Sequence, residues 1–253
     1  MTIYIEQQGQ GSEVVLVHGW GLHGGIWGDL PARLAQHHRV SVVDLPGHGR
    51  SRGVSGPQDL QHLGMLVAQR LSTPATWVGW SLGGLVAMSV ALQSPSQVAR
   101  LVLVSSTPRF VQAPDWPAAM QPEVLTQFVQ ELSQEYRATL QRFLSLQVGM
   151  DASGRAQLKT LRAEMFRHGE PDAAALIGGL AILRDTDLRP QLSKITCPTL
   201  IIHGGRDRLA SVPAAQYLQA HLRDAQRACI DHAGHVPFLS HPDQFQTLLQ
   251  DFL

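Results

Sequence analysis

Six short runs of the chain are almost entirely apolar, and they alternate with segments whose apolar residues recur at helical spacing. The runs are EVVLVHG (13–19), RVSVVDL (39–45), ATWVGW (75–80), ARLVLVS (99–105), CPTLIIHGG (197–205) and AQRACID (225–231). Strands that are buried on both faces of a parallel sheet have such unbroken apolar runs. The helical spacing covers about 27–36, 58–71, 82–93, 212–222 and 241–252. This alternation predicts an α/β fold with a doubly wound, mostly parallel sheet.

The alternation stops between residues 107 and 190, where no strand-like run occurs. Helical spacing continues in this segment, over about 122–149, 154–168 and 172–184. A long helical insertion between two strands predicts a cap that covers one edge of the sheet. We therefore expect a core formed by residues 1–106 and 191–253 and a helical cap formed by residues 107–190.

The composition argues against several classes of function. The formal net charge is +0, so no bulk field favours nucleic acid or an anionic membrane as a partner. No apolar run reaches the roughly 18 residues of a membrane span, and MTIYIEQQGQ lacks the pattern of a signal peptide. Cys197 and Cys229 lie in or beside strand-like runs, which predicts small buried side chains rather than a disulfide. Together these features predict a cytoplasmic protein.

Twelve histidines and a glycine-rich stretch raise the possibility of a bound metal or nucleotide. The chain has no H-E-x-x-H motif and no zinc-finger spacing, and HAGH at 232–235 lacks an obvious third ligand. VHGWGLHGG, at 17–25, lacks both the G-K-[ST] of a Walker motif and the G-x-G-x-x-G order. We therefore expect no metal and no other cofactor.

The stretch TWVGWSLGGLVAM places one hydroxyl, Ser81, between the end of a strand-like run and the start of a helical one. Gly79 and Gly83 flank it in the G-x-S-x-G pattern of a nucleophile elbow. At such a turn the serine is strained, its hydroxyl stands clear of the sheet, and the glycines let helix and strand approach closely. The alternative interpretation is a glycine-rich turn in which Ser81 caps the helix. The pattern favours a nucleophilic serine at the ligand-binding edge of the sheet.

A serine hydroxyl becomes a good nucleophile only when a base takes its proton, and the usual base is a histidine oriented by a carboxylate. In this fold the acid and then the histidine follow the serine along the chain. HGGRDRLAS places Asp207 after the fifth run, and DHAGHVPFLSHP places His235 after the sixth. The alternatives nearby are Asp231, His232, His241, Asp185 and Asp187. His235 is favoured because it follows Gly234 at the loop tip, and the two aspartates near the cap exit are interpreted as solvated or capping.

An ester hydrolase also needs two hydrogen-bond donors for the oxyanion. One should be the backbone N–H of Leu82, the residue after the serine, and the other should come from the loop after the first run. Trp20 follows His18-Gly19 in that loop, so its N–H is the natural second donor. The helix that begins at Leu82 points its N-terminal amides to the same place.

The motifs LVHGWGLHGGIW, VVDLPGHGRSRG, GWSLGGLVA, IIHGGRDRL and HAGHVPFLSHP span nearly the whole chain and resemble the α/β-hydrolase superfamily. Within it, HGWGLHGGIW, LPGHGRSRG, GWSLGGLVA, RFLSLQ (142–147) and GGLAILRDTDLRPQL (178–192) are similar to the pimeloyl-acyl-carrier-protein methyl ester esterases of biotin synthesis. This resemblance implies a serine esterase that removes the methyl ester from a pimeloyl chain bound to an acyl carrier protein.

The resemblance also assigns roles to cap residues. It implies an acyl channel lined by Phe143, Leu144, Ser145, Leu146 and Gln147. Residues 137–163 hold one acidic residue, Asp151, against a set of basic ones: Arg137, Arg142, Arg155, Lys159 and Arg162. The spacing places Arg155, Lys159 and Arg162 on one helix face. The residues expected to dock the acidic carrier are Arg137, Arg142, Arg155 and Lys159. The alternative interpretation is that these are solvated cations and ordinary core residues.

Other functions share the same predicted triad. A general short-chain carboxylesterase or lipase, a cofactor-free perhydrolase or a C–C bond hydrolase would differ mainly in the cap. Dehalogenases and epoxide hydrolases are disfavoured, because they place an aspartate where this chain has Ser81. A non-catalytic ligand-binding scaffold is disfavoured because all the predicted catalytic positions are filled. The protein is expected to be a monomer.

Overall fold

The structure is a computed structural model that describes residues 2–56, 58–71, 74–132, 134–149 and 152–253. Asp151, the acidic residue of the basic cap segment, lies outside these ranges. No helix of the described residues is long and apolar enough to cross a membrane.

Within the described residues seven strands form a single sheet. They are β1 (Ile5–Gln8), β2 (Glu13–Val17), β3 (Arg39–Val43), β4 (Ala75–Trp80), β5 (Val98–Val104), β6 (Thr199–Gly204) and β7 (Ala225–Ile230), in the order β1-β3-β2-β4-β5-β6-β7. Every neighbouring pair is parallel except β1 with β3. The predicted α/β fold is confirmed, and β1 is the strand that the hydrophobic pattern missed.

Burial explains why the strands have nearly unbroken apolar runs. Every residue of β2, β4 and β6 is buried, because helices cover both faces of the sheet. Their pairing is in register, for example Leu16 opposite Val78 and Leu103 opposite Ile201. β1 and β7 lie at the two edges and are partly exposed, so a short polar sequence such as IEQQ can form β1 by backbone pairing alone.

The helices follow the predicted segments with shifted ends. They are α1 (Leu30–Leu34), α2 (Leu60–Ala68), α3 (Leu82–Gln93), α4 (Pro122–Leu132), α5 (Tyr136–Leu146), α6 (Ala152–Met165), α7 (Ala173–Asp185), α8 (Val212–His221), α9 (Pro237–Ser240) and α10 (Pro242–Gln250). The segment predicted as helical over 122–149 is two helices, because α4 ends at Leu132 and α5 begins at Tyr136. Four helices, α4 to α7, separate β5 from β6. The division of the chain at residues 107 and 190 stays a prediction.

The helices α4 to α7 cover the edge of the sheet where the parallel strands end. The indole Nε1–H of Trp20, after β2, donates to the backbone oxygen of Leu176 in α7 at 2.8 Å. After β3, the Gly47 carbonyl accepts a 2.8 Å hydrogen bond from the backbone N–H of Asp172. The loops that hold the candidate residues therefore lie beneath the cap.

The cysteines depart from expectation. Cys197 and Cys229 are both free, as predicted, but each is only partly buried. Cys229 lies on the edge strand β7, where one side has no neighbouring strand. The prediction of two small buried side chains without a disulfide therefore holds for the absence of a disulfide, whereas the burial is only partial.

Candidate active site

Ser81 occupies a strained turn between β4 and α3. Its φ of 55° and ψ of −117° lie in a region of backbone conformation where residues other than glycine rarely occur. A Cβ at Gly79 would collide with the backbone of Gly83, and one at Gly83 would collide with the backbone oxygen of Val17. The Ser81 side chain makes no capping hydrogen bond to α3, so the alternative interpretation as a helix cap is wrong.

Ser81, His235 and Asp207 form a continuous chain of hydrogen bonds. The Ser81 Oγ and His235 Nε2 atoms are 2.9 Å apart, and His235 Nδ1 lies 2.9 and 3.0 Å from the two carboxylate oxygens of Asp207. All three residues are buried. The order of donors and acceptors leaves His235 Nε2 free to accept the serine proton.

The turn around Asp207 keeps its carboxylate ionised. Burial alone would raise the pKa of Asp207, but electrostatic attraction to His235 and His203 and the hydrogen bonds from His235 and the Ala210 N–H together hold that pKa below its usual value. The backbone N–H groups of Leu209 and Ala210 donate to the same carboxylate at 2.8 and 3.0 Å. Burial also lowers the pKa of nearby His203 to about 4, so this second imidazole is neutral at neutral pH. The ionised carboxylate therefore fixes His235 with its proton on Nδ1.

The two backbone N–H groups predicted to bind the oxyanion, those of Leu82 and Trp20, make no hydrogen bond within the described structure. The loop that carries Trp20 is fixed by His18, whose Nδ1–H donates to the Gly19 oxygen at 2.8 Å and whose Nε2 accepts from the Leu45 N–H at 2.9 Å. Burial first, and the neighbouring imidazole of His48 second, lower the pKa of His18 to about 3. A neutral His18 can hold this loop across the physiological pH range.

The alternative acids and bases take no part in the hydrogen bonds that join Ser81, His235 and Asp207. Asp231 and His232 are exposed, and His241 contacts the Ser240 hydroxyl. Asp187 binds Arg189 and Arg109, and the hydrogen bonds from Arg189 chiefly lower its pKa to about 2. Asp185 pairs with the adjacent Arg184 at the surface. Both agree with the interpretation as solvated or capping residues, because Asp185 is exposed and Asp187 caps the following turn by accepting from the Arg189 N–H.

The residues predicted to line an acyl channel differ in how far they are buried. Phe143 and Leu144 are buried, and the Phe143 ring packs edge-on against Trp20 with centroids 4.6 Å apart. Ser145 is exposed, and its hydroxyl donates to the Gln141 carbonyl at 2.9 Å, so it faces away from the site. Leu146 is 39% exposed and Gln147 is buried. The lining role of these residues stays a prediction, and Ser145 fits it least.

The basic cap residues lie at the surface, and some have acidic partners. Arg137 pairs with Glu170, and Arg142 pairs with Glu131. Arg155, Lys159 and Arg162 are exposed on α6, as their spacing predicted. The carrier-docking role of this set stays a prediction.

Four supporting groups had not been predicted. The Trp80 Nε1–H donates to the His235 carbonyl at 2.8 Å, and the His235 N–H donates to the Gln147 carbonyl at 3.1 Å. The Ser106 hydroxyl donates to the Ser81 carbonyl at 2.9 Å, and His203 lies beside the acid. Of these groups, only Trp80 could have been recognised from the sequence as a supporting residue, because it directly precedes the serine. Among the described residues no cluster of three or more His, Cys, Asp or Glu is arranged to hold a metal ion.

Comparisons with known proteins agree with this geometry. The model of the alpha/beta hydrolase family matches residues 14–246. The chain is 44% identical over 252 residues to a protein of Xanthomonas campestris pv. campestris (strain B100) named pimeloyl-[acyl-carrier protein] methyl ester esterase, covering 99% of this chain and 98% of that one. A protein of the same name from Nitrosomonas europaea is 43% identical over 244 residues, covering 96% of each. The solved esterase EaEST from Exiguobacterium antarcticum superposes with a TM-score of 0.90 at 26% identity, covering 99% of this chain and 94% of that one.

Proposed function

The chain belongs to the alpha/beta hydrolase family and, within it, to the pimeloyl-[acyl-carrier protein] methyl ester esterases, and from this premise we propose the reaction that it catalyses. It hydrolyses the methyl ester of a pimeloyl chain on an acyl carrier protein, a step of biotin synthesis, and releases methanol. The observation that carries this proposal is the chain of hydrogen bonds from Ser81 through His235 to Asp207.

In the first half of the reaction Ser81 Oγ attacks the carbonyl carbon of the methyl ester while His235 Nε2 takes the hydroxyl proton. The N–H groups of Trp20 and Leu82 stabilise the oxyanion, each by roughly 3 kcal/mol. His235 then gives its proton to the departing methoxide, so methanol leaves and the acyl group stays on Ser81. Asp207 holds the imidazole in place and stabilises its charged form.

In the second half a water molecule attacks the acyl group on Ser81. His235 takes a proton from that water and returns it to Ser81 Oγ when the acyl–oxygen bond breaks. The product is the free carboxylate of the carrier-bound chain. Ser81 is only 5% exposed, so the ester must reach it through a passage beneath the cap. Its basic surface is the proposed docking site for the carrier.

Two further points concern the location of the protein and the competing functions. We propose a cytoplasmic location, which the two free cysteines support because disulfides are rare in that compartment. A general short-chain carboxylesterase remains the second candidate, because the fold and the triad would serve it equally well. A scaffold without turnover is disfavoured, since the hydrogen-bonded triad is fully assembled.

The test compares kcat/KM for methyl pimeloyl-acyl-carrier protein with that for free dimethyl pimelate, at low and high salt. We expect a preference for the carrier-bound ester of about tenfold or more that weakens with salt, since steering by charge is screened. Ser81→Ala serves as the control for background hydrolysis and should abolish turnover of both esters. Equal values that are indifferent to salt would favour the general carboxylesterase.

A further inference from the structure

A cleft of about 380 Å³ opens next to the candidate base, between the core and the cap. On the core side its lining includes Arg206, Arg208, His232 and His241, and on the cap side it includes Gln147 and Gln157. No acidic side chain is among the described residues that line it. Asp231 is exposed next to His232 but does not line the cleft. The cleft therefore has a basic wall on the core side and an uncharged wall on the cap side, where Leu146 and Val148 lie beside the two glutamines.

The two arginines are fixed to the turn that carries Asp207. The Arg206 N–H donates to the Ala233 carbonyl at 2.9 Å, and its guanidinium donates to His232 Nδ1 at 3.2 Å. Arg208 lies inside the turn whose next two N–H groups bind the Asp207 carboxylate. Within the described chain neither arginine has a carboxylate partner, whereas others do: Arg33, Arg50, Arg109, Arg137, Arg142 and Arg189. Both guanidinium groups are exposed and available to an external anion.

Gln147 closes the cleft on the cap side. Its side chain is buried, and its Oε1 atom has no hydrogen-bond partner among the described residues. The backbone oxygen of the same residue binds the His235 N–H, which places Gln147 beside the catalytic loop.

We propose that this cleft binds the phosphopantetheine arm of the carrier, with Arg206 and Arg208 holding its phosphodiester. This inference rests on the proposed function, because a carrier-bound ester arrives on such an arm. Guanidinium groups bind phosphate oxygens in a fork geometry that suits this role. Gln157 lies on α6 between Arg155 and Lys159, so the cleft borders the surface proposed to dock the carrier.

The test uses two small esters that differ by one group, methyl pimeloyl-pantetheine and methyl pimeloyl-4′-phosphopantetheine, with methanol release as the readout. For the unmodified protein we expect kcat/KM to be about tenfold higher for the phosphorylated ester at low salt. In the Arg206→Ala/Arg208→Ala double variant this ratio should fall to about one. The ratio is internal to each variant, so a loss of folded protein lowers both rates and leaves it unchanged.

Arg223→Ala is the matched control, because Arg223 is an exposed arginine just before β7, at the opposite edge of the sheet. It should keep the full ratio. If both esters are hydrolysed with equal kcat/KM, or if the double variant keeps the preference, the phosphate site is overturned while the esterase assignment stands. If neither ester is hydrolysed although dimethyl pimelate is, the proposed function and this inference both fail.

Discussion

The core and the cap hold their functional side chains by different means. At the edge of the sheet the Asp207 carboxylate is buried and accepts from the backbone N–H groups of Leu209 and Ala210 as well as from His235. On the cap several charged side chains lie at the surface and form exposed ion pairs, as Arg137 does with Glu170. The reacting groups are therefore preorganised, whereas the cap cations keep partners that can be exchanged.

The energies of these two kinds of contact explain the division. A buried polar group that loses its partner costs about 1–3 kcal/mol, whereas an exposed ion pair contributes roughly 0–1 kcal/mol. A carrier carboxylate could therefore replace Glu170 as the partner of Arg137 at little cost. This difference predicts that changes in the core lower kcat and that changes on the cap alter recognition of the carrier.

The largest effect should come from Asp207→Asn. The amide keeps the shape but donates to His235 Nδ1, so the imidazole proton moves to Nε2 and the ring can no longer accept from Ser81. We expect kcat to fall on the order of 10⁴-fold, as loss of the correct tautomer does in other triads. Steady-state kinetics on dimethyl pimelate measure this. Asp231→Asn is the control, because Asp231 is exposed at the end of β7, and a fall of less than tenfold in the Asp207 variant would contradict the assigned role.

The same variant tests the pH dependence of stability. The folded protein holds the pKa of Asp207 below its usual value, because the hydrogen bonds and electrostatic interactions of the carboxylate with His235, His203 and the Ala210 N–H together outweigh burial. A carboxyl with a depressed pKa in the folded state stabilises the fold above its unfolded pKa of about 4 and loses that contribution as pH falls. The difference in free energy of unfolding between the unmodified protein and Asp207→Asn should therefore be full at neutral pH and shrink below about pH 4. Chemical denaturation across pH 3–7 checks this, and a difference that does not change with pH would contradict it.

An intermediate effect is expected from Trp80→Phe, which removes the N–H that holds the His235 carbonyl. Misplacement of the base should lower kcat by about tenfold. Trp77→Phe is the matched control, because the Trp77 Nε1–H also donates to a carbonyl, that of Gln97. Trp77 lies in the first half of β4, away from the triad. Both variants should lose stability, but only Trp80→Phe should lower kcat. Equal kcat in the two variants would show that the Trp80 hydrogen bond has no positioning role.

The core was predictable because its signals are local. Strands buried on both faces, such as β4 and β6, must be apolar throughout. Ser81 is recognisable from the glycines two positions before and after it. The order of acid and base along the chain leaves only a few loop residues as candidates for each. The structure brings Ser81, Asp207 and His235 within hydrogen-bonding distance because the parallel strands that precede them all end at one edge of the sheet.

The remaining features depend on contacts that no local pattern encodes. Residues Trp80 and His235 are 155 positions apart, so their hydrogen bond has no sequence signature. The strand β1 is polar and short, and it exists because β3 offers it a free edge. The break between α4 and α5 was missed because apolar helical spacing continues from one helix into the next.

The smallest effect should come from reversing charge on the cap. Arg155→Glu and Lys159→Glu change exposed residues on α6, and each should repel an acidic carrier. At low salt we expect the double variant to raise KM for methyl pimeloyl-acyl-carrier protein by about fivefold to tenfold relative to KM for dimethyl pimelate, with kcat little changed. Arg142 is left out of the test because its guanidinium lies over the Phe128 ring, 5.3 Å from the centroid, so its removal would also disturb cap packing.

The control for this experiment is Arg223→Glu, which adds the same kind of charge at the opposite edge of the sheet. It should leave the ratio of the two KM values unchanged. High salt should return the cap variant towards the unmodified protein, because exposed charges are screened over about 10 Å at 0.1 M. If the cap variant and the Arg223 variant shift the ratio equally, the effect comes from net charge alone, and α6 has no specific part in binding the carrier. If the ratio shifts for α6 alone and persists at high salt, the contact is direct and desolvated, and the cap would then resemble the core in how it holds its partner.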